Sequence, residues 1–438
     1  MYPDIVHGWA ISERHLSEGA FLWARLENIY RSSRHTLEDA AEQEQRLRAH
    51  VDGLLIGGHA VAARLLKPAL EEEDAALVAT AATALLLQEA QVAGVLGLLK
   101  EGTEFQHQAL RRALERCERE DLEARLAALP SSLPDSARVA VLEVQALRGW
   151  DAGAALLPAL KSESPEVTAA ALRAARATPA RVEPRMLHPL LDSPSLEVRD
   201  AALALGVALG SRSALRRCQQ LVAQQARGSR RAMEWLALGG EPSDLEALLA
   251  LTRVTALRCD AVWALGFSGR VSVAEAALAW MRDEDLRFAK LASEAFSAIT
   301  GLELEGVYRR ELDEEEADIP LEEEDLDADL TPSPEEDLPA AAADRVTAWW
   351  AEARKRFDTQ GRYLRGKPFS APVLQEALRQ EPMRRRHVLA QEATLRSRGT
   401  QRLETRTPAL QQRFALVRPW TFREADVRAP LKHFLGQE

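Results

Sequence analysis

Residues 187–206 read LHPLLDSPSLEVRDAALALG, and this stretch decides the fold class. Leucines at helical spacing precede a short turn, and a second helical pattern rich in alanine and leucine follows it. Serine and aspartate beside the turn can cap helix ends, and proline is tolerated near a helix start. The stretch therefore predicts two short helices joined by a tight turn. We expect structural roles for five of its residues, Asp192, Pro194, Val198, Arg199 and Leu205.

The same signature recurs on both sides of this stretch. Glu166-Val167 and Glu197-Val198 occupy equivalent places thirty-one residues apart, and five such units cover about 152–302. Periods of this length are typical of solenoids, in which each helical pair buries its apolar side against the next. Two degenerate pairs are predicted at 54–88 and 105–148. Later units supply three more structural residues, Arg258, Leu265 and Arg287.

The arginine that recurs in these units has two interpretations. It can form a basic ladder for phosphate or nucleic acid, or it can bond the turn of an adjacent repeat. We favour the second role, because acidic side chains lie within one turn of each arginine. The arginines are Arg199, Arg258 and Arg287, and the acidic residues are Asp192, Asp283 and Asp285.

Composition supports a helical protein, because aromatic residues are only 5% of the chain and good helix formers dominate. The N-terminal residues carry charges where a secretory signal needs an apolar run, and no long uncharged stretch follows. Three cysteines without paired spacing do not make a disulfide framework. We therefore expect a cytoplasmic protein that is not embedded in a membrane.

The net charge of −11 is distributed in bands. Residues 311–337 contain fifteen Asp or Glu and no Lys or Arg, whereas residues 338–438 carry a net charge of +10. We predict that the segment around the acidic run is a disordered linker, since it is acidic, proline-containing and poor in apolar residues. The predicted segments are a degenerate helical region at 1–150, repeats at 151–302, the acidic linker at 303–338 and a basic C-terminal module at 339–438.

The C-terminal module is predicted to be small and mostly helical, with helices near 372–379 and 382–395. A glycine-rich and proline-containing turn at 361–368 offers cations to an anion. A second cluster of cations opens the last helix, where it opposes the helix dipole and so needs an acidic linker, an acidic partner or phosphate beside it. A solvated charged surface explains the cluster equally well. The candidate partner-binding or anion-binding residues are Trp349, Trp350, Tyr363, Arg365, Lys367, Arg384, Arg385, Arg386 and His387.

Motifs for catalysis, cofactors or metals are not found in the sequence. It contains no phosphate-binding loop, no dinucleotide fingerprint, no nucleophile elbow and no His/Cys grouping at zinc spacing. His15 and His50 are predicted to be surface or capping residues, and the cysteines are predicted to be small core side chains. We therefore expect a protein that is not an enzyme, with no cofactor and no bound metal.

Residues 152–302 resemble HEAT and HEAT-like lyase-type repeats, which implies an all-α solenoid with a groove for a protein. The whole chain also resembles a proteobacterial family of HEAT-repeat proteins. That resemblance is carried by Phe21-Leu22-Trp23, by His50-Val51-Asp52-Gly53-Leu54, and by Gly361-Arg362-Tyr363-Leu364 with Gly366-Lys367-Pro368. Members of the family are often associated with type VI secretion gene clusters. The resemblance implies an accessory role in handling an effector.

Three functions remain open from the sequence. The favoured one is a scaffold or adaptor that grips a protein client through many weak contacts. A second is an immunity protein that covers a co-encoded toxin with the acidic segment. The third is a DNA-binding enzyme like the HEAT-repeat alkylation glycosylases, which the charge of −6 on residues 1–310 disfavours, so nucleic acid is not the expected partner. The client and the oligomeric state are not identified by the sequence.

Overall fold

A computed structural model describes residues 8–130, 132–311 and 333–436 of the chain. Its regular structure is almost entirely helical, so the predicted all-α fold built from helical pairs is confirmed. Among the described residues the paired strands form one short hairpin, β1 (Tyr363–Leu364) and β2 (Lys367–Pro368), in antiparallel register. No helix in these ranges has the length and apolar character needed to cross a membrane.

The helices follow one another with short connections along the chain. In order they are α1 (Trp9–Arg31), α2 (Leu37–Ile56), α3 (Gly58–Val61), α4 (Lys67–Ala69), α5 (Ala75–Leu86), α6 (Glu89–Glu101), α7 (Glu104–Arg116), α8 (Leu122–Ala127), α9 (Asp135–Arg148), α10 (Leu156–Ala159), α11 (Pro165–Ala175), α12 (Pro184–Leu191), α13 (Leu196–Ala208), α14 (Arg212–Ala223), α15 (Arg230–Gly239), α16 (Pro242–Leu251), α17 (Arg258–Leu265), α18 (Val271–Trp280), α19 (Leu286–Thr300), α20 (Ala343–Ala353), α21 (Ala371–Gln380), α22 (Met383–Arg396), α23 (Ala409–Ala415) and α24 (Glu424–Val427). A π-helical stretch, Ala62–Leu66, joins α3 to α4.

The described residues form two compact units, each made of more than one stretch of chain. Unit 1 contains residues 8–31, His35–Leu209 and Glu404–Val417. Unit 2 contains Ser32–Arg34, Gly210–Leu403 and residues 418–436. These two units do not coincide with the four consecutive segments that charge and repeats predicted. The boundaries of those segments stay predictions.

Unit 1 contains a ladder of alternate helices. α5 packs on α7, α7 on α9, α9 on α11, and α11 on α13, while the intervening helices α6, α10 and α12 pack beside them. Such alternation is what stacked helical pairs require. The thirty-one-residue spacing seen in the sequence corresponds to α11 and α13. The side chains of Ser164 and Ser195 begin these two helices by accepting the backbone N–H groups of Val167 and Val198.

Unit 2 repeats this arrangement with α15, α17 and α19, each packed on the next, and with α16 and α18 beside them. Leu265 of α17 is fully buried, as Leu205 is in unit 1. Arg258 forms an ion pair with Asp283, in the turn before α19, and its guanidinium lies 3.6 Å from the ring centre of Phe288. Arg258 therefore ties α17 to the next turn, whereas Arg287 pairs with Glu335 instead.

The ends of the acidic segment are packed, which differs from the disorder predicted for 303–338. Leu304 and Leu338 are buried, and the backbone of Arg309 bridges to Ala341. Glu335 is buried too, because it meets Arg287 and lies 3.8 Å from Arg384. Apolar and charged partners in unit 2 thus hold both ends of the segment. The remainder of the predicted linker, 312–332, lies outside the described residues.

Candidate functional site

Unit 1 contains a cleft of about 490 Å³. Its walls come from α2, from the C-terminal end of α7 and from the segment Glu404–Val417. Sites that hold ligands or anchoring side chains usually enclose about 300–1,000 Å³ and are largely apolar, with a few placed polar groups. The largest apolar side chains that line this cleft are Trp23, Leu47, Val51, Leu87 and Leu410.

Charged side chains give the cleft a net negative charge. Three of its arginines pair with three of its carboxylates, Arg413 with Glu38 at 3.5 Å, Arg48 with Glu118 at 3.3 Å and Arg116 with Glu44 at 3.1 Å. Two further carboxylates, Glu42 and Asp52, line the cleft and are exposed, and within the described ranges neither forms an ion pair. The cleft is therefore suited to a ligand that brings positive charge.

A half-buried polar cluster forms part of the cleft wall. The hydroxyl of Tyr30 donates to the carboxylate of Glu44, whose other oxygen accepts the backbone N–H of Ala409 at 2.7 Å. Burial is the main cause that raises the pKa of Tyr30 to about 12, so its hydroxyl stays protonated at neutral pH. Burial lowers the pKa of Arg116. Electrostatic attraction and hydrogen bonds from Tyr30 and Glu44 outweigh this effect and hold the pKa of Arg116 above its usual range. The cluster attaches Glu404–Val417 to α2.

The segment Glu404–Val417 also presents apolar side chains to solvent. Leu410, Phe414 and Val417 are 66%, 76% and 69% exposed. Their spacing of four and three residues places Leu410 and Phe414 on one side of α23, with Val417 just beyond its end. Single exposed apolar residues are common, but a contiguous set beside a cleft is typical of an interaction surface. We call this set, together with the cleft, the α23 surface.

The candidate residues predicted around the hairpin are mostly packed inside unit 2. Trp350 and Tyr363 are buried, the former against Phe296 and the latter 4.8 Å from the ring of Phe357. The backbone N–H of Arg365 donates to the carbonyl of Ala298 at 2.7 Å, near the end of α19. The hairpin thus donates backbone N–H groups to carbonyls at the C-terminus of α19. The helix dipole favours positive charge at this end of a helix. Trp349 and Arg365 are half-buried, and Lys367 is exposed.

The three arginines that open α22 are buried rather than presented to an external anion. Arg384 lies 3.1 Å from Glu294 and stacks over Trp263, and the Nε of Arg385 donates to Glu381 at 2.9 Å. The Nε of Arg386 donates to the carbonyl of Leu378 at 2.6 Å. This placement differs from the expected partner or anion site, because carboxylates of unit 2 meet Arg384 and Arg385, and a carbonyl of unit 2 meets Arg386. The acceptors also explain why cations can occupy the start of a helix, where the helix dipole opposes them.

His387 lies next to this cluster, half-buried in unit 2. Burial is the main cause that lowers the pKa of His387 to about 4, and the cation of Arg231 acts in the same direction. The imidazole is therefore neutral at pH 7. A neutral imidazole carries no charge that would attract an anion, and the binding role of His387 stays a prediction.

Acidic pH is expected to weaken the fold through His387. The unfolded chain takes up a proton near pH 6.5, whereas the folded protein resists it until about pH 4. The stabilisation that neutral His387 contributes is therefore complete above pH 6.5, and about 3 kcal/mol of it is lost as the pH drops to 4. Urea unfolding measures the free energy of unfolding at pH 7.5 and at pH 4.5. The difference between these two free energies should be smaller for His387→Gln than for the wild type. The exposed His59 gives the control substitution, and equal differences in all three proteins would contradict the assignment.

Sequence reasoning missed the cleft. Its acidic positions Glu38, Glu42 and Asp52 do recur at helical spacing on α2, which is the one signal that could have indicated it. The other wall was not predictable, since Leu410 and Arg413 are more than 350 residues away along the chain. Among the described residues, no group of three or more His, Cys, Asp or Glu side chains is arranged to hold a metal. A scan against protein-family models found no matching family, and a search of the curated proteins found no match.

Proposed function

We propose that the protein is a non-catalytic scaffold or adaptor, and that it binds a protein client at the α23 surface. The observation that carries this proposal is the combination of an apolar, negatively charged cleft with exposed Leu410, Phe414 and Val417 beside it. The ligand that matches both properties is an amphipathic helix with lysine or arginine along one side. Its apolar side would cover the exposed side chains, and its cations would meet Glu42 and Asp52.

This mode of binding follows from general properties of protein interfaces. A helix laid into a groove anchors through apolar side chains spaced three and four residues apart. Charge complementarity then raises the association rate and rejects ligands of the wrong sign. The same charge disfavours nucleic acid, which needs a dense basic surface to neutralise its phosphates. We therefore favour a protein client over DNA.

The identity of the client is a further part of the proposal. The resemblance to the type VI-associated family leads us to propose an effector of such a system, held before it is exported. We place this role in the cytoplasm, and the three cysteines, which form no disulfide, fit a reducing compartment.

A labelled peptide provides a direct test. A basic amphipathic helix of Leu and Lys is expected to bind the full-length protein at least tenfold more tightly than the same design with Glu in place of Lys, measured by fluorescence anisotropy. Replacing both Glu42 and Asp52 with Lys should weaken binding at least tenfold, because two attractive contacts become repulsive. Binding of the wild type should also weaken as salt is raised.

Matched variants test whether binding depends on this surface, or only on the net charge of the protein and on non-specific apolar contacts. Glu72→Lys with Glu73→Lys makes the same charge change on exposed residues of unit 1 that do not line the cleft, and should leave binding unchanged. Phe414→Glu should abolish binding, whereas Ile56→Glu, at a residue that is 88% exposed, should not. Equal loss from both charge pairs, or equal binding of both peptides, would refute the proposed surface.

A further inference from the structure

Two histidines far apart in the sequence meet in unit 1. His15 of α1 and His50 of α2 are thirty-five residues apart, and their Nδ1 atoms lie 3.2 Å from each other. The ring centres are 5.2 Å apart, with an angle of 70° between the ring planes. Both side chains are half-buried, so solvent reaches them. The cleft and the α23 surface do not include this pair.

A glycine on α2 allows the His15 ring to occupy this position. A Cβ atom added to Gly53 would lie 2.7 Å from two atoms of the His15 imidazole, which is closer than such atoms approach in proteins. Any other residue at this position would force the ring to move. The His15 imidazole therefore lies against the backbone of α2 because position 53 lacks a side chain.

We propose that His15 and His50 together bind a divalent transition metal ion of borderline softness, with Zn²⁺ as the representative ion. Two imidazole nitrogens held by one tetrahedral Zn²⁺, at about 2.0–2.1 Å each, lie about 3.3 Å from each other. The two Nδ1 atoms are hydrogen-bonded at 3.2 Å, and this separation matches the requirement. The metal would replace that hydrogen bond, with each imidazole protonated on Nε2 rather than on Nδ1. Imidazole is a preferred ligand of Zn²⁺, Cu²⁺ and Ni²⁺, whereas Mg²⁺ and Ca²⁺ prefer oxygen.

The surroundings contain a nearby carboxylate and space for the rest of the coordination sphere. Glu18 follows His15 by three residues and so lies on the same side of α1. Together with both histidines it lines an open cavity of about 620 Å³, which has room for water molecules on the metal. Glu18 is the ligand that has to move, since the described side chains contain no preformed group of three. Arg14 opposes a cation here, and its contact with Glu18, at 3.9 Å, is long.

A metal ion at this place would join two helices. α1 and α2 pack against each other along their length, and His15 and His50 sit on opposite sides of that contact. Because the folded protein holds the two ligands together and the unfolded chain does not, binding should stabilise unit 1 against unfolding.

The test is zinc titration of the full-length, tag-free protein by calorimetry in metal-free buffer at pH 7.5. The wild type is expected to bind one Zn²⁺, and His15→Gln and His50→Gln should each weaken this binding at least tenfold. Glu18→Gln should weaken it several-fold. Gly53→Ala keeps every ligand but displaces the His15 ring, and should also weaken binding. Exposed residues of the same unit provide the controls His59→Gln and Glu13→Gln, which should bind as the wild type does.

A second measurement guards against variants that simply fold badly. Circular dichroism should show the same helical content in each variant without metal. Added Zn²⁺ should then raise the melting temperature of the wild type and of both controls, but not of His15→Gln or His50→Gln. Co²⁺ in place of Zn²⁺ should give visible absorption bands that both histidine variants lose. Absence of binding to the wild type, or equal binding to the histidine variants, would overturn the proposal.

Discussion

Replacing Leu205 with aspartate is expected to lower the free energy of unfolding by about 4 kcal/mol or more. Leu205 of α13 is fully buried, so the substitution removes an apolar side chain from the core and places a carboxylate there without a cation. Ala202→Glu, one helical turn earlier, should have an effect of the same order, because Ala202 is fully buried too. Urea unfolding followed by circular dichroism at 222 nm measures both.

The matched control for this prediction lies on the same helix. Leu196 is the first residue of α13 and is 45% exposed. Leu196→Asp makes the same chemical change in a place where water solvates the carboxylate and the helix N-terminus favours it. Its stability should stay within about 0.5 kcal/mol of the wild type. Similar losses for Leu196→Asp and Leu205→Asp would show that α13 does not pack as described.

Removing the carboxylate of Glu392 is expected to cost about 3–5 kcal/mol. Glu392 is completely buried. Its carboxylate accepts hydrogen bonds from both terminal nitrogens of Arg362 and from the Nε of Arg396. Glu392→Leu therefore leaves two buried guanidinium groups without their shared carboxylate, and a lost charge partner in the interior is far more costly than one on the surface. Thermal and urea unfolding should both report the loss.

Glu376 of α21 provides the comparison for this second prediction. It pairs with Arg379 three residues along the same helix, with both side chains substantially exposed. Exposed pairs of this kind contribute about 0.2–1 kcal/mol, so Glu376→Leu should be close to neutral. If Glu392→Leu were as mild as Glu376→Leu, then water must reach Arg362 and Arg396, and the buried network would have to be abandoned.

The repeat pattern could be found from the sequence because it is local. A capping serine, a turn and a run of alanine and leucine lie within about twenty residues, so the two copies that begin at Ser164 and Ser195 identify α11 and α13 directly. Within the pair predicted at 54–88, Asp74 likewise caps α5. Patterns of this kind depend on hydrogen bonds and packing between close neighbours in the chain.

The sites could not be found in this way, because they depend on distant residues. Arg384 to Arg386 look like an exposed basic cluster until Glu294 and Trp263, about a hundred residues earlier, are placed beside them. His15 and His50 each resemble an isolated surface histidine for the same reason. Spacing along one helix cannot show which side chains a second helix will bring close. The sequence shows the charge of the acidic segment, but it does not predict the burial of Glu335, which depends on Arg287 and Arg384.

The order in which the chain is made gives the segment Glu404–Val417 a particular consequence. A ribosome that has released residues up to Leu209 has produced every helix of the ladder in unit 1, yet Leu410 and Arg413 do not exist at that point. Glu44 must wait for the backbone N–H of Ala409, and the cleft has one wall missing. A nascent chain that stops before Glu404 would therefore lack one wall of the cleft, so a ligand of the proposed α23 surface would meet only chains whose synthesis had passed Val417.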